Sequence, residues 1–248
     1  SGGEGESMVE PAGTALVGAA VWGQHIFNSW RPRRVGIYGA PMVGKTTLDR
    51  YMTTPGEMEA IPDDERTEHG RVFGLVGPYK MPKPTRKRVG WNGEKRVVYS
   101  SDIGGQERFW NLWIEDMVTR KVEAVVYMFD DRAFKGGNDG LQQIAGFKFL
   151  VDRLIKRDYR YRSLRSRLRG RKYHPKVVML VANKADRFFD ETASKLWHDG
   201  RIGEHKVFDP FRDDLIRLQK AGIPTKRSFM ATRIGWNVEK TMLVLLTS

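Results

Sequence analysis

The sequence predicts an α/β fold, in which a mostly parallel central sheet carries one antiparallel hairpin strand and has helices on both faces. Two nearly continuous apolar runs, Val122–Asp130 and Lys176–Ala182, are typical of strands buried on both faces of a parallel sheet. The segment Leu141–Lys156, whose apolar residues recur at helical spacing, lies between them. This alternation favours a single domain with helices packed on both sides of one sheet.

The remaining elements follow the same alternation along the chain. A short apolar strand is predicted at Arg34–Tyr38, and a helix opens at Lys45–Met52. Further helices are predicted at Phe208–Lys220 and Val238–Leu246, with a β-like segment, Lys226–Phe229, between them. Neither internal repeats nor an interdomain linker is visible in the sequence.

The hairpin is predicted from two β-rich runs. Arg71–Tyr79 and Lys95–Ser101 are rich in strand-forming residues, and a basic stretch containing Pro and Gly joins them. The simplest arrangement of two such runs is an antiparallel hairpin with a basic connection.

Composition excludes several classes of protein. The chain has 248 residues, of which 40% are hydrophobic, so it is not a disordered chain. Because it has no cysteine, it contains neither a disulfide scaffold nor a thiolate zinc site nor a cysteine nucleophile. The five histidines show no metal-binding spacing. The formal net charge of +13 suggests a polyanionic partner.

The N-terminal part is predicted to lie outside the main domain. Residues 1–10 are rich in Gly, Ser and Glu and read as a disordered lead-in. Residues 11–30 contain no Asp, Glu, Lys or Arg and are interpreted as an apolar helix. It could pack on the domain, lie in a membrane interface or span a bilayer. The domain itself is assigned to residues 31–248.

Two basic insertions account for the charge. Residues 80–96 carry a net charge of +6, and residues 156–176 carry +9. The second mixes arginines with tyrosines, which suits phosphate contact combined with stacking on bases. It equally suits an anionic lipid surface or an acidic protein. The residues leave these three partners open.

A phosphate-binding loop is indicated by Gly39-Ala-Pro-Met-Val-Gly-Lys-Thr46, which matches G-x-x-x-x-G-K-[ST] between a predicted strand and a predicted helix. Glycines let the backbone curl so that successive N–H groups point at phosphate oxygens, and the helix N-terminus adds positive potential. Lys45 supplies a cation and Thr46 a hydroxyl for Mg²⁺. The predicted nucleotide contacts are Gly39, Ala40, Pro41, Met42, Val43, Gly44, Lys45, Thr46 and Thr47. The loop does not distinguish ATP from GTP.

Asn183-Lys-Ala-Asp186 directly follows the strand Lys176–Ala182 and resembles the guanine-specificity motif of the small GTPases. A carboxylate at Asp186 can accept hydrogen bonds from the ring N–H and amino group of guanine, whereas adenine presents a different edge. The resemblance implies that Asn183 braces the phosphate loop and that Lys184 lies along the base.

Asp102-Ile-Gly-Gly105-Gln106 follows the strand Lys95–Ser101 and resembles the D-x-G-G-Q motif of the Arf branch. The resemblance implies that Asp102 holds Mg²⁺ through water and that the N–H of Gly105 approaches the γ-phosphate. Gln106 would orient the attacking water. The predicted catalytic residues are therefore Gln106, Lys45 and Gly105.

Two further elements complete the resemblance. Met230-Ala-Thr232 is similar to the C-A-T of the Arf branch, which implies that the N–H of Ala231 reaches the guanine carbonyl and that Thr232 lines the same site. Thr67, shortly before the run Arg71–Tyr79, is our choice for the threonine that completes Mg²⁺ coordination.

The chain therefore resembles the Ras superfamily of small GTPases, with Arf-like features, over roughly residues 33–247. The family implies GTP and GDP with Mg²⁺ bound through Thr46, Thr67 and Asp102. It also implies a molecular switch that hydrolyses GTP and signals to effector or regulatory proteins. The expected location is the cytoplasm, with peripheral contact at a membrane.

Two phosphate-loop residues depart from the family pattern. Pro41 and Met42 occupy positions that are often small in this superfamily, and Pro41 also lacks a backbone donor. A bulky loop could crowd Gln106 or block an arginine supplied by a partner. The alternative function is therefore a GTP-regulated docking module with weak hydrolysis, which binds an anionic membrane, an acidic protein or nucleic acid.

Overall fold

The computed structural model describes residues 33–53, 85–91, 94–100, 103–157 and 173–246, and only the backbone is described for residues 33, 53, 85–91 and 94–97. The chain divides by its contacts into two units, Ser1–Pro32 and Arg33–Ser248. The predicted lead-in and apolar helix lie outside the described residues and stay predictions. None of the helices within the described ranges combines the length and the apolar character that crossing a bilayer demands.

The elements alternate between strand and helix along most of the described chain. The strands are β1 Arg33–Gly39, β2 Thr85–Trp91, β3 Glu94–Ser100, β4 Ala124–Phe129, β5 Val177–Ala182 and β6 Thr225–Phe229. The helices are α1 Lys45–Thr53, α2 Trp110–Arg120, α3 Arg132–Lys135, α4 Asn138–Lys156, α5 Glu191–His198, α6 Arg212–Lys220 and α7 Val238–Leu246. Short 3₁₀ turns lie at Glu107–Phe109, Ala185–Arg187, Ile202–Glu204, Lys206–Phe211 and Thr232–Ile234.

Five of the strands run parallel, in the order β3-β1-β4-β5-β6. The register between β1 and β4 runs from Val35 opposite Ala124 to Gly39 opposite Met128. The α/β arrangement therefore agrees with the sequence prediction. The carboxyl ends of these strands meet at one edge of the sheet.

The predicted hairpin was wrong. Arg71–Tyr79 was expected to pair with Lys95–Ser101, which corresponds to β3. In the sheet, however, the two neighbours of β3 are β1, which runs parallel to it, and β2, Thr85–Trp91. Thr85–Trp91 lies inside the segment that was interpreted as a basic insertion, so most of residues 85–96 belong to the sheet. The sequence signal that was overlooked is Asn92-Gly93, a pair typical of two-residue hairpin turns. Arg71–Tyr79 lies outside the described residues.

Alternate residues of the central strands face two separate apolar layers. Every residue of β4 and β5 is buried, which explains their continuous apolar sequences. Tyr127 and Phe129 pack in a cluster with residues of α2, α4, α5 and α6. Val126 and Met128 pack in the opposite cluster with residues of α1 and α7. The helices therefore cover both faces of the sheet.

One helical prediction needs adjustment, and one helix was not predicted. The segment predicted as one helix, Phe208–Lys220, is a 3₁₀ turn at Lys206–Phe211 that leads into α6. Pro210 lies in this turn, and a proline removes a backbone donor from a helix interior. Helix α5 was not predicted. Its start is marked by Asp190, whose carboxylate accepts a hydrogen bond from the N–H of Ala193 at 2.8 Å.

A buried ion pair ties α2 to the sheet. Arg120 donates from Nε to Asp116 Oδ1 at 2.6 Å, and the hydroxyl of Tyr38 donates to Asp116 Oδ2 at 2.7 Å. The guanidinium also donates to the carbonyl oxygens of Val35 in β1 and Tyr99 in β3, each at 3.2 Å. Burial, followed by the charge of Asp116, raises the pKa of Tyr38. The C-terminal end of α2 is thereby fixed to both strands.

Candidate nucleotide site

The candidate site lies at the carboxyl edge of the parallel sheet. Gly39 ends β1, Asp130 follows β4 and Asn183 follows β5, so the three residues lie on neighbouring strands at the same edge. In open α/β sheets ligands bind at this edge, where the strand order reverses. The reversal here is at β1, whose neighbours are β3 and β4.

Two glycines of the phosphate loop, residues 39–46, are required by close packing. Gly39 has φ of 144°, and a Cβ added to it would lie 2.1 Å from the carbonyl oxygen of Met128. Gly44 has φ of 94°, and its Cβ would lie 2.3 Å from Asn183 Nδ2. Both conformations and both contacts exclude an ordinary side chain. The loop can therefore take this path only with glycine at its two motif positions.

Most carbonyl oxygens of the phosphate loop accept hydrogen bonds. Each of five consecutive carbonyls, from residue 40 to residue 44, accepts a hydrogen bond. The donors in order are Lys45 Nζ at 2.8 Å, Arg132 Nη2 at 3.3 Å, Lys184 Nζ at 2.7 Å, Asn183 Nδ2 at 2.7 Å and Leu48 N at 2.9 Å. Because a trans peptide is planar, the N–H that follows each carbonyl points the opposite way. The N–H groups of residues 42–45 therefore turn away from these donors, which suits a loop that surrounds phosphate oxygens.

Asn183 joins the phosphate loop to the loop after β6. Its Nδ2 donates to Val43 O and to Thr232 Oγ1 at 3.0 Å, while its Oδ1 accepts from the N–H of Thr232 at 3.0 Å. The side chain is fully buried, so these bonds are shielded from water. Asn183 therefore bridges the two loops, and the role in nucleotide binding that the resemblance implied for it stays a prediction.

Lys184 is held between the phosphate loop and a buried carboxylate. Its Nζ donates to Met42 O and also to Asp130 Oδ2 at 2.8 Å. Asp130 in turn accepts from Arg132 Nε and from Gln143 Nε2, each at 2.9 Å. We call Asp130, Arg132, Gln143 and Lys184 the Asp130 cluster.

The Asp130 cluster keeps its carboxylate charged. Burial by itself would raise the pKa of Asp130, but the hydrogen bonds from Arg132, Lys184 and Gln143 lower it to about 2. Sequence reasoning missed this cluster. The available signal was the pair Asp130-Asp131 at the end of an apolar strand, where an acidic residue needs a partner.

The Gly-Gly pair after β3 packs directly against the phosphate loop. A Cβ on Gly105 would lie 2.3 Å from the carbonyl carbon of Ala40 and 2.4 Å from the carbonyl oxygen of Gly39. Trp113 Nε1 donates to the carbonyl oxygen of Gly104 at 3.0 Å, and Trp110 Nε1 donates to that of Gly105 at 3.2 Å. The two indoles at the start of α2 therefore orient both glycine peptides.

The remaining predicted catalytic and metal residues fall into two groups. Gln106 is exposed beside this contact, and Thr46 and Thr47 are half-buried in the first turn of α1. Thr67 and Asp102 lie outside the described residues, so two of the three predicted Mg²⁺ ligands stay predictions. Thr46 is compatible with that role, because its hydroxyl follows the loop lysine at the helix start. Within the described ranges, His, Asp and Glu side chains form no cluster of three that could hold a metal.

The residues predicted to recognise the base lie in the loops that follow β5 and β6. Asp186 is exposed in the 3₁₀ turn Ala185–Arg187, and the N–H of Ala185 donates to the carbonyl oxygen of Met230 at 3.0 Å. This bond brings Asp186 next to the loop after β6. The N–H of Ala231 differs from expectation, because it donates to the carbonyl oxygen of Trp236 at 3.1 Å in a bridge that closes the loop.

Comparisons by sequence and by structure give different results. No protein-family model matches the sequence, and no curated protein is significantly similar to it. A crystal structure of bacterial selenocysteine-specific elongation factor EF-Sec is similar over 88% of this chain, at 14% sequence identity and a TM-score of 0.47. The similarity covers 29% of the EF-Sec chain, so this protein spans less than a third of its length. Similarity at this level assigns no activity to the chain.

Proposed function

We propose that this protein binds guanine nucleotides with Mg²⁺ and hydrolyses GTP to GDP and phosphate, as a switch whose state is read by partner proteins. The proposal assigns it to the small GTPases, with Arf-like features. The observation that carries it is the convergence on one loop. Asn183 of N-K-A-D donates to the carbonyl of Val43, while Gly105 of D-I-G-G-Q packs against Ala40. Three motifs that are distant in sequence thus meet at the loop that would hold the phosphates.

The phosphates would be held by charge and by backbone donors. The N–H groups of residues 42–45 would contact the β- and γ-phosphates, and Lys45, now on the Ala40 carbonyl, would turn to the same oxygens. Mg²⁺, when bound through Thr46, Thr67 and Asp102, neutralises charge on these phosphates.

Hydrolysis would depend on positioning. The backbone of Gly105 lies against the loop and can offer its N–H to the γ-phosphate, because the residue has no side chain. Gln106, exposed beside it, would orient the attacking water. Gln106→Leu is expected to leave nucleotide affinity unchanged and to lower turnover. Unchanged turnover would remove Gln106 from the mechanism.

The direct test is the nucleotide that the purified protein carries and binds. We expect extraction to release GDP or GTP, and competition assays to show a preference for GTP over ATP and over ITP, which lacks the amino group that Asp186 would accept from. Asp186→Ala is expected to abolish the preference for GTP over ITP, whereas Asp199→Ala, another exposed aspartate, retains it. Equal binding of ATP and GTP by the unaltered protein would refute the proposal.

The docking module with weak hydrolysis is the second candidate function. Pro41 offers no N–H to a phosphate, and its carbonyl accepts a hydrogen bond from Arg132. The third position of the loop therefore contributes less to phosphate binding than in a typical phosphate loop. Single-turnover hydrolysis near the uncatalysed rate, with tight GTP binding, would favour this candidate. Brisk hydrolysis would exclude it.

The basic segments are proposed to bind an anionic surface, with cytoplasmic location and peripheral membrane contact. Residues 158–172, which hold most of the second basic segment, lie outside the described residues. Flotation with anionic vesicles and gel shift with nucleic acid, each across a range of salt, distinguish the partners. Binding that ignores salt would exclude a contact driven by phosphate charge.

A further inference from the structure

We infer that Asp130 is a positioning residue for nucleotide binding, which holds the first half of the phosphate loop through Lys184 and Arg132. This inference rests on the proposed function and adds to it a residue that lies outside every motif identified in the sequence. Asp130 would act through its two basic partners, each of which also contacts a carbonyl of the loop.

Two basic side chains connect one buried carboxylate to the carbonyls of two consecutive loop residues. Lys184 donates both to Asp130 and to Met42 O, and Arg132 donates both to Asp130 and to Pro41 O. Asp130 is 0% exposed, so solvent does not compete for the bonds to its carboxylate, whereas the bond from Lys184 to Met42 O is exposed. Gln143 also contacts Asp130, since its amide donates to Oδ1 and its carbonyl accepts from the N–H of Asp130.

The loop needs such support because Met42 has an uncommon backbone conformation. Its φ is 61°, in the left-handed region, where a side chain other than that of glycine is strained. Its side chain is 58% exposed, so side-chain packing does little to hold it. Strain of this kind costs on the order of 1–3 kcal/mol and persists only where surrounding contacts determine the conformation. Here the contacts are the bonds to the carbonyls of Pro41 and Met42.

The conformation of Met42 determines the direction in which the N–H of Val43 points. If Met42 relaxed to negative φ, the peptide that joins it to Val43 would rotate, and the N–H of Val43 would no longer face the phosphates. Holding the carbonyl of Met42 on Lys184 therefore keeps a phosphate donor in place. Asp130 fixes Lys184 and Arg132 where they can do this, so loss of its charge should lower the affinity for both GDP and GTP.

The neighbouring residue provides a matched control. Asp131 is also buried, at 3% exposed, and it accepts from Lys135 at 2.5 Å and lies 3.9 Å from Arg187. Its described bonds reach no carbonyl of the phosphate loop. Asp130→Asn and Asp131→Asn thus remove the same charge from adjacent buried positions, and only the first loosens the loop.

The experiment measures dissociation of fluorescent GDP and GTP from the full chain, in the native background and with Met42→Gly. We expect Asp130→Asn to speed dissociation by about 5- to 150-fold, the factor that corresponds to the strain of about 1–3 kcal/mol at Met42. Asp131→Asn should change it little. In the Met42→Gly background Asp130→Asn should speed nucleotide dissociation much less, because glycine adopts positive φ freely. If Asp130 had a purely structural role, Asp130→Asn would speed dissociation by the same factor in both backgrounds.

Two outcomes overturn the inference. One is nucleotide dissociation from Asp130→Asn at the native rate. The other is that Asp130→Asn speeds dissociation by the same factor in the Met42→Gly background as in the native background. If the unaltered protein binds no guanine nucleotide, the proposed function fails, and the inference is then judged by hydrogen exchange of the amides of residues 42–45 without nucleotide. Faster exchange in Asp130→Asn than in Asp131→Asn supports it, and equal exchange refutes it.

Discussion

Asn183 donates its side-chain amide to the carbonyl oxygen of Val43 at 2.7 Å, across 140 residues of sequence. The same amide contacts Thr232 on both its nitrogen and its oxygen side. One buried side chain therefore couples the loop that would hold phosphates to the loops that would hold the base. Loss of either contact is expected to affect the whole site.

Asn183→Ala is expected to weaken guanine-nucleotide binding about 10-fold or more. The substitution leaves the carbonyl of Val43 and the N–H of Thr232 buried without their partner, at a cost of about 1–3 kcal/mol for each such group. Equilibrium titration with fluorescent GDP measures the change. Asn138→Ala, at an exposed position in α4, is the control. Native affinity in Asn183→Ala would contradict the coupling.

Gly105→Ala is expected to reduce GTP affinity and hydrolysis more than GDP affinity. The added Cβ would lie 2.3 Å from the carbonyl carbon of Ala40, so the peptide must move away from the position where its N–H would meet the γ-phosphate. Comparison of GTP and GDP dissociation with single-turnover hydrolysis tests this.

The control for Gly105→Ala is Gly200→Ala. A Cβ on Gly200 meets nothing within 4 Å, although its φ of 69° strains an alanine. Gly200→Ala should therefore lower stability by about 1 kcal/mol and leave nucleotide kinetics unchanged. Equal effects of the two substitutions on GTP and GDP would contradict a specific role for Gly105.

Asp116→Asn is expected to destabilise the fold by about 3–5 kcal/mol, because it leaves the charge of Arg120 buried without its partner. Side-chain exposure is 0% for Asp116 and 9% for Arg120. Tyr38→Phe removes only one hydrogen bond to the same carboxylate and should cost about 1 kcal/mol. Urea unfolding measures both changes.

The control for this ion pair is the exposed pair Arg201–Glu204, whose closest atoms are 2.6 Å apart. Glu204→Gln should not change the urea midpoint measurably, because solvent screens both charges. If Asp116→Asn behaves like Glu204→Gln, the ion pair does not hold α2 to the sheet.

His205 is expected to make stability depend on pH. The residue is 2% exposed, its Nδ1 accepts from the N–H of Val207 at 3.3 Å, and its buried Nε2 has no hydrogen-bond partner among the described residues. Burial lowers the pKa of His205, and this effect is larger than the opposing effect of the charge of Asp190, which raises the pKa.

The sign follows from proton binding. The unfolded chain has a histidine pKa of about 6.5, so below that pH it takes up a proton more readily than the native state does. Stability should therefore fall as pH decreases from about 6.5 towards the native pKa, by at most about 1.4 kcal/mol per pH unit. The difference between native protein and His205→Asn isolates this dependence, with the exposed His198→Asn as control. An identical pH dependence in His205→Asn would contradict it.

Much of the site could be predicted because its residues lie in short contiguous motifs. Gly39 and Gly44 at motif spacing predicted a loop that only glycine permits, and the structure gives the contacts that require them. Apolar continuity predicted β4 and β5 because both faces of these strands are buried. The hairpin was misplaced because strand propensity alone does not determine which run pairs with β3. Asn92-Gly93, a pair typical of hairpin turns, was the stronger signal for the strand that pairs with β3.

The sequence by itself determined the phosphate loop, the order of the motifs after successive strands and the α/β class, since each depends on local spacing or periodicity. Only the tertiary structure decided that Lys184 bridges Asp130 and Met42, that the N–H of Ala231 donates to Trp236, and that Arg120 joins two strands. These contacts join residues that are distant along the chain, and their partners depend on strand order and register. No local pattern encodes that information.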